Sequence, residues 1–361
     1  MIRRLADGVR RAAVGLMLAG CGVLAATGAT GALTSAAAAQ DTSHEALQVV
    51  ATIAPIHSLV AAVIGTGGET DDGHGGGGSG GGNPPSLHLL VRGAASPHAM
   101  ALRPSDAQAL QSAALVFWIG PHLETFLADK LATLAPDARI ITLSEAPGVT
   151  IWPLRRTAAW IDEHDDHDHG HDGGEEGGDH ADDGDRHQDR GDPHLWLDPV
   201  NGQAMVAAIV AALSAADPAN RETYGANGAA LAERLADLQR HMASELTPVR
   251  SVRFMVFHDS WQYLERRFAL TAVGALALNP EVQPGAAHMR RMQAAIREHA
   301  VRCVFAEPQF TPRAVQAVIE GTAARTAVLD PLGADLAPGA DLYVTLLRRN
   351  AAALAGCLGG P

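Results

Sequence analysis

With 361 residues, 47% of them hydrophobic, the chain is long enough for two ordinary domains and too apolar to be disordered throughout. Its formal net charge of −13 is mostly local: residues 162–192 hold fourteen acidic side chains against Arg186 and Arg190, so that stretch carries −12 and the remainder is near balance. No basic stripe or aromatic-plus-arginine platform is present, which argues against a nucleic-acid binder.

The N-terminus reads as an export signal. Arg3, Arg4, Arg10 and Arg11 form a positive lead, and an uncharged, weakly hydrophobic stretch runs from Ala12 to Ala39. The small residues of "SAAAAQD" suit a signal peptidase, so residues 1–39 are read as a signal peptide cleaved near Ala39. The alternative is "LAGC", Leu18 to Cys21, a lipoprotein processing site that would leave Cys21 lipidated. No second hydrophobic span is read downstream, and the mature chain is expected to be soluble and outside the cytoplasm.

From Gln48 onward, short apolar runs alternate with helical patterns. "QVVATIAP" reads as a strand and "IHSLVAAVIG" as the helix after it; "LHLLV", "LVFWIG" and "RIITL" are further strands, separated by the helical patterns "RPSDAQALQSA" and "HLETFLADKLATL". A helix follows from Pro199. Residues 217–246 read as one long helix of roughly 40 Å, with Asp217 as N-cap and Pro218 at its first position. Strands "RFMVF", "LTAVGAL", "VRCVFAEP" and "AVLD" then alternate with helices, the last beginning near Ala340. Apolar strands alternating with helices imply an α/β fold with parallel sheets covered on both faces, and sites beyond the carboxyl ends of the strands.

The predicted organisation is an N-terminal α/β lobe over 40–216, a linking helix over 217–246 and a C-terminal α/β lobe over 247–361. Two inserts interrupt the first lobe. The glycine-rich stretch 66–85 and the histidine-rich acidic tract 162–192 cannot bury enough apolar surface to fold, and both are read as mobile loops.

Three cysteines are present, and signal cleavage would leave Cys303 and Cys357. An even pair in an oxidising compartment usually forms a disulfide, here clipping the last helix to a strand; two buried free thiols are the alternative.

Position must discriminate among seventeen histidines. His98 lies just past "LHLLV", His258 follows "FMVF", Asp330 ends "AVL", and His194 sits in "DPHLWLDP". Three imidazoles and a carboxylate suit tetrahedral zinc, at about 2.0–2.2 Å per ligand. A lone histidine after a strand is nevertheless more often structural, and Asp330 before a proline can be a turn-former. His57 is read as a capping or supporting residue and His88 as structural, while His122, His241, His288 and His299 fall in helical patterns and are assigned to the surface.

"GAASPH", "LRPSDAQALQSAALVFWIGPHLE", "DPHLWLDP", "FHDSWQYLERRFAL", "FAEPQF" and "LDPLG" occur in this order. Together they resemble the zinc-binding solute-binding proteins of bacterial ABC importers, the ZnuA-like group, from about Val49 to the C-terminus. The resemblance implies two α/β lobes joined by one rigid helix, with a metal in the cleft between them held by His98, His194 and His258. Asp330 matches a fourth-ligand position of part of the family, with water as the alternative. Some zinc-binding members carry a carboxylate just before the first histidine, where this chain has Pro97. Manganese-binding relatives carry a glutamate where His258 stands, and a third imidazole favours zinc over harder manganese. The Cys303–Cys357 pair matches a disulfide of zinc-binding members. The tract matches an acidic, histidine-rich loop of the family, implying that His164, His167, His169, His171, His180 and His187 capture zinc weakly beside the main site; a merely solubilising loop is the alternative.

The function implied is capture of zinc in the periplasm by a monomer, and delivery to an inner-membrane ABC permease powered by a cytoplasmic ATPase. Zinc is then cargo rather than a catalyst. Two other classes compete. A periplasmic zinc hydrolase would use a three-histidine site with an open position, but no HExxH motif is present, and Glu307 in "FAEPQF" is read as lining the cleft. A metal buffer or adhesin would make the tract the functional part.

Overall fold

The computed structural model describes residues 46–65, 84–155, 157–158, 160, 191–278, 280–282, 284–310 and 313–360. The export signal with Cys21, nearly all of the 66–85 insert and the six tract histidines lie outside them.

The first half builds β1 (Gln48–Ile53), α1 (Ala54–Ile64), β2 (Ser86–Val91), α2 (Pro104–Ser112), β3 (Leu115–Trp118), the single turns α3 (Thr125–Ala128) and α4 (Leu131–Leu134), and β4 (Arg139–Thr142). Helices α5 (Pro199–Ala216) and α6 (Arg221–Leu246) follow. The second half builds β5 (Phe254–His258), α7 (Gln262–Phe268), β6 (Ala272–Ala277), α8 (Ala286–Glu298), β7 (Cys303–Ala306), α9 (Arg313–Ile319), β8 (Arg325–Val328) and α10 (Leu342–Gly359).

Two four-stranded parallel sheets result, ordered β2-β1-β3-β4 and β6-β5-β7-β8. Both follow the same permutation. Adjacent strand residues face opposite sides, and both sides are apolar, as parallel sheets require. Val49, Ala51 and Ile53 join the main core whereas Val50 faces a separate cluster with Leu90, Val116 and Leu110. In the second sheet Phe254 and Val256 join the main core, and Met255 and Phe257 meet Met292 and Val304 on the other side.

The main core runs from the first sheet past α6 to the second. Helix α6 buries Tyr224, Gly228, Leu231, Leu235, Leu238, Met242 and Leu246, a stripe at steps of three and four residues. Its 26 residues make a rod of about 39 Å, packed on α1, α5 and α10. At Gly228 the neighbouring α5 comes so close that a Cβ would stand 2.4 Å from Val210 Cγ2. Helix α5 is long and apolar enough to cross a membrane, but half of it is buried, including Val206, Ile209 and Leu213, and it packs on α1 and α6.

The disulfide Cys303–Cys357 forms, joining the first residue of β7 to α10. Two local expectations change. The helix expected over 122–134 is broken, because the buried carboxylate of Glu124 accepts the backbone N–H groups of Ile119 and Gly120 at 3.1 and 3.0 Å and holds the chain in a turn. His122 therefore lies in a turn. Asp217 leads into a 3₁₀ turn, Pro218–Asn220, before α6 begins, and its carboxylate accepts Tyr224 Oη–H at 2.6 Å.

After β4 the chain crosses to the second sheet. Trp152 N–H donates to Tyr263 Oη at 3.2 Å, Trp160 N–H to Val273 C=O at 3.0 Å, and Ala275 N–H to Ala158 C=O at 2.9 Å. Gly191 returns as an antiparallel bridge with Pro153, bringing Asp192 and His194 to the same place.

Candidate metal centre

His98, His194 and His258 reach one cleft from three directions. His98 stands on the loop after β2, His194 just before a 3₁₀ turn (Leu195–Leu197), and His258 at the carboxyl end of β5. One ring nitrogen from each lies within 4.8 Å of the others, with His98 Nε2 and His194 Nε2 3.3 Å apart. Ring centroids are separated by 4.8 to 5.4 Å. Such a cluster needs either a proton shared between rings or a cation among them.

Two of the rings are held from behind by buried carboxylates. Asp192 Oδ1 accepts both His194 Nδ1–H at 2.8 Å and His194 N–H at 2.9 Å. Asp192 is itself fixed by Gln262 Nε2 at 3.3 Å and by Tyr263 Oη–H on its carbonyl at 2.6 Å. His258 Nδ1 lies 3.3 Å from Glu307 Oε2, while Glu307 Oε1 accepts Ser260 Oγ–H and Trp261 Nε1–H at 3.1 and 3.2 Å. A carboxylate at Nδ1 places the proton there and leaves Nε2 as the free donor, the usual arrangement behind a metal-bound imidazole. His98 is placed through its backbone instead. Its N–H reaches Ser96 Oγ at 3.3 Å, and its carbonyl accepts Thr125 Oγ1–H at 2.8 Å.

Burial, then the neighbouring His194 and His258, pulls His98 down to about 2, and burial with His258 pulls His194 well below the ordinary imidazole value. Both rings are neutral at physiological pH, as ligands must be. Burial also works against a charged His258, but Glu307, together with Asp259 and Asp192, outweighs it and raises that ring. Burial pushes Asp192 up to about 7 against the hydrogen bonds that favour its anion. Behind Asp259, next to His258, Arg155 pairs with Asp259 Oδ1 at 2.9 Å and with Glu265, and its guanidinium lies 3.7 Å over the Trp160 ring.

Asp330 does not join the three histidines. Its Oδ1 accepts the N–H groups of Leu332 and Gly333, both at 2.9 Å, and its Oδ2 that of Ala334 at 2.6 Å. The carboxylate is the pivot of a turn whose Pro331 and Leu332 line the cleft with Ser96, Trp196, Gln309 and Phe310. His57 caps nothing and does not line the cleft: it is buried in α1, and neither ring nitrogen has a partner among the described residues. His88 Nε2 lies 3.1 Å from Asp106, His241 pairs with Glu245 on the exposed face of α6, and His288, whose Nε2 meets Leu276 C=O at 2.8 Å, is half-buried.

Asp192, Gln262 and Tyr263 carry supporting roles that the sequence patterns did not single out. The available signal was an acid two residues before His194, since metal-bound histidines commonly lean on carboxylates.

The family model described as zinc-uptake complex component A, periplasmic, matches residues 49–357. A high-affinity zinc uptake system protein ZnuA of Brucella abortus is 42% identical over 325 residues, covering 86% of this chain and 91% of its own length. One from Paracoccus denitrificans is 43% identical over 280 residues, covering 75% and 84%. A crystal structure of ZnuA superposes with a TM-score of 0.65 at 22% identity, covering 87% of this chain and 100% of its own. A zinc-bound ZnuA deletion mutant gives 0.66 at 23%, covering 88% and 100%. At these identities the two solved structures establish likeness of fold.

Proposed function

The chain belongs to the ZnuA family of periplasmic zinc-uptake components, and on that premise we propose that it captures zinc through His98, His194 and His258 and passes it to an inner-membrane ABC permease driven by a cytoplasmic ATPase. One observation carries this reading: three imidazole nitrogens converge within 4.8 Å, two of them with Nδ1 held by buried carboxylates. Imidazole donors suit zinc rather than a harder ion. Asp330 supports the site from its turn, and water takes the fourth position.

The protein acts as a monomeric carrier rather than an enzyme. Glu307, the side chain best placed to serve a hydrolase as base, is committed to His258, Ser260 and Trp261. The signal peptide and the tract keep the roles assigned from sequence: export, with cleavage near Ala39, and weak capture by His164, His167, His169, His171, His180 and His187. The two sheets serve as the lobes, with α6 as their common support. Competition between metal-free protein and a chromophoric zinc chelator tests the reading. One tight equivalent that disappears when all three histidines are replaced is the expected result, and a tight equivalent that survives their replacement would contradict it.

A further inference from the structure

Gln309 lines the cleft with the three histidines, on the turn that follows β7. Its amide has two unlike ends. Nε2 donates to Asp330 Oδ1 at 3.2 Å, whereas Oε1 is shut away from solvent and has no hydrogen-bond partner among the described residues. The amide cannot be turned over to relieve this. Asp330 offers only acceptor oxygens, already receiving three backbone N–H groups, so the NH₂ end must face it. A buried acceptor left unpaired is costly, and one that persists in a binding cleft calls for a partner brought by the ligand.

Zinc held by three imidazoles keeps a fourth tetrahedral position. A neutral amide oxygen is a poor candidate to fill it directly, because zinc's protein ligands are thiolate, imidazole and carboxylate. A water on zinc, by contrast, has strongly polarised O–H groups that need an acceptor. We propose that Gln309 Oε1 accepts a hydrogen bond from the water that completes the zinc coordination, and that Asp330 is a positioning residue acting through Gln309. The inference rests on the three-histidine reading above. It gives Asp330 a part in zinc binding that its own hydrogen bonds permit, since its carboxylate stays in the turn while it holds the Nε2 end of an amide that lines the cleft.

The decisive variant is Gln309→Leu, which keeps the bulk and removes the acceptor. Zinc affinity by chelator competition should fall by about tenfold, the lower end of what loss of a supporting partner costs a metal site. The metal-free variant should melt no lower than wild type, because an unpaired oxygen has been replaced by apolar atoms. In cobalt(II)-substituted protein the visible absorption bands, which respond to the fourth ligand, should shift. Unchanged affinity with unchanged bands would overturn the proposal, and so would weakened binding accompanied by a lower melting temperature without zinc. Asp330→Asn should weaken zinc in the wild-type background and add nothing in the Gln309→Leu background; an equal effect in both would refute the positioning role. His258→Ala, measured alongside, separates the two levels of the account. If it loses tight zinc while Gln309→Leu keeps it, only this inference fails, whereas retention by both removes the three-histidine site itself.

Discussion

The two sides of the metal cleft are built on different terms. His194 and His258 are buried and each leans on a buried carboxylate; Gln262 bonds the Asp192 carboxylate and Tyr263 its backbone carbonyl, while Ser260 and Trp261 bond the Glu307 carboxylate. His98 sits on a half-buried loop, steadied by two hydroxyl contacts to its backbone, and its neighbour Ser96 reaches across to Glu281 Oε1 at 2.6 Å. One side is a pair of rings braced through Nδ1; the other is a ring brought to that pair by a loop. Most of the hydrogen-bonded organisation of the cleft is thus located on the carboxylate-braced side.

Substitution on each side tests that contrast. His258→Ala should have the largest effect, lowering zinc affinity by more than about 100-fold, because it removes a ligand rather than its support. Glu307→Gln should cost about 10-fold to 100-fold, the range for a partner that orients a metal-bound histidine. Thr125→Val, the matching change on the loop side, should cost less than about tenfold, since the hydrogen bond it loses holds only backbone. Chelator competition at one fixed pH ranks the three, and a Thr125→Val effect equal to that of Glu307→Gln would erase the distinction.

Two further variants separate local organisation from global stability. Replacing Cys303 and Cys357 by serine opens a cross-link spanning 54 residues, and stability should drop by about 2–4 kcal/mol in denaturant titration. Zinc affinity of the folded variant should be unchanged, because neither sulfur faces the cleft. His57 gives a smaller effect near neutrality, and one that depends on pH. Burial, with Arg92 and His88 nearby, holds its ring down at about 4 against 6.5 for a free imidazole. Between those values the unfolded chain takes up the proton and the folded chain resists it, so stability is full above about pH 6.5 and declines toward pH 4. His57→Leu should remove that decline, a difference of about 3 kcal/mol at pH 4 and almost none at pH 7.

The sequence patterns were most legible where local rules act alone. Apolar runs such as "QVVATI" and "FMVFH" become strands buried on both faces, and the three-and-four spacing of Leu231, Leu235 and Leu238 becomes the buried stripe of α6. Position beside a strand end or turn left the three histidines among several candidates and the family resemblance singled them out; the fold brings their ring nitrogens within 4.8 Å of one another. What could not be read depends on contacts distant in sequence. Glu124 breaks a well-patterned helix by turning its carboxylate inward to Thr52 and to the backbone of Ile119 and Gly120. Asp192 is the last acid of a biased tract in sequence, yet the return of Gly191 beside Pro153 sets it behind His194. Asp330 fits the spacing of a ligand, and what that spacing does not show is that its carboxylate also accepts three backbone N–H groups of its own turn.

The central claim is that the tight zinc site belongs to the braced cleft and not to the acidic tract. X-ray absorption at the zinc edge, on protein lacking residues 162–190 and loaded with one equivalent of zinc, tests it most directly. The deletion stops short of Gly191 and Asp192 so that the support of His194 stays in place. The account predicts that zinc still binds tightly, with a first shell of three imidazole nitrogens at about 2.0–2.1 Å and one oxygen. Loss of the tight zinc, or a shell with fewer than three imidazoles, would contradict it.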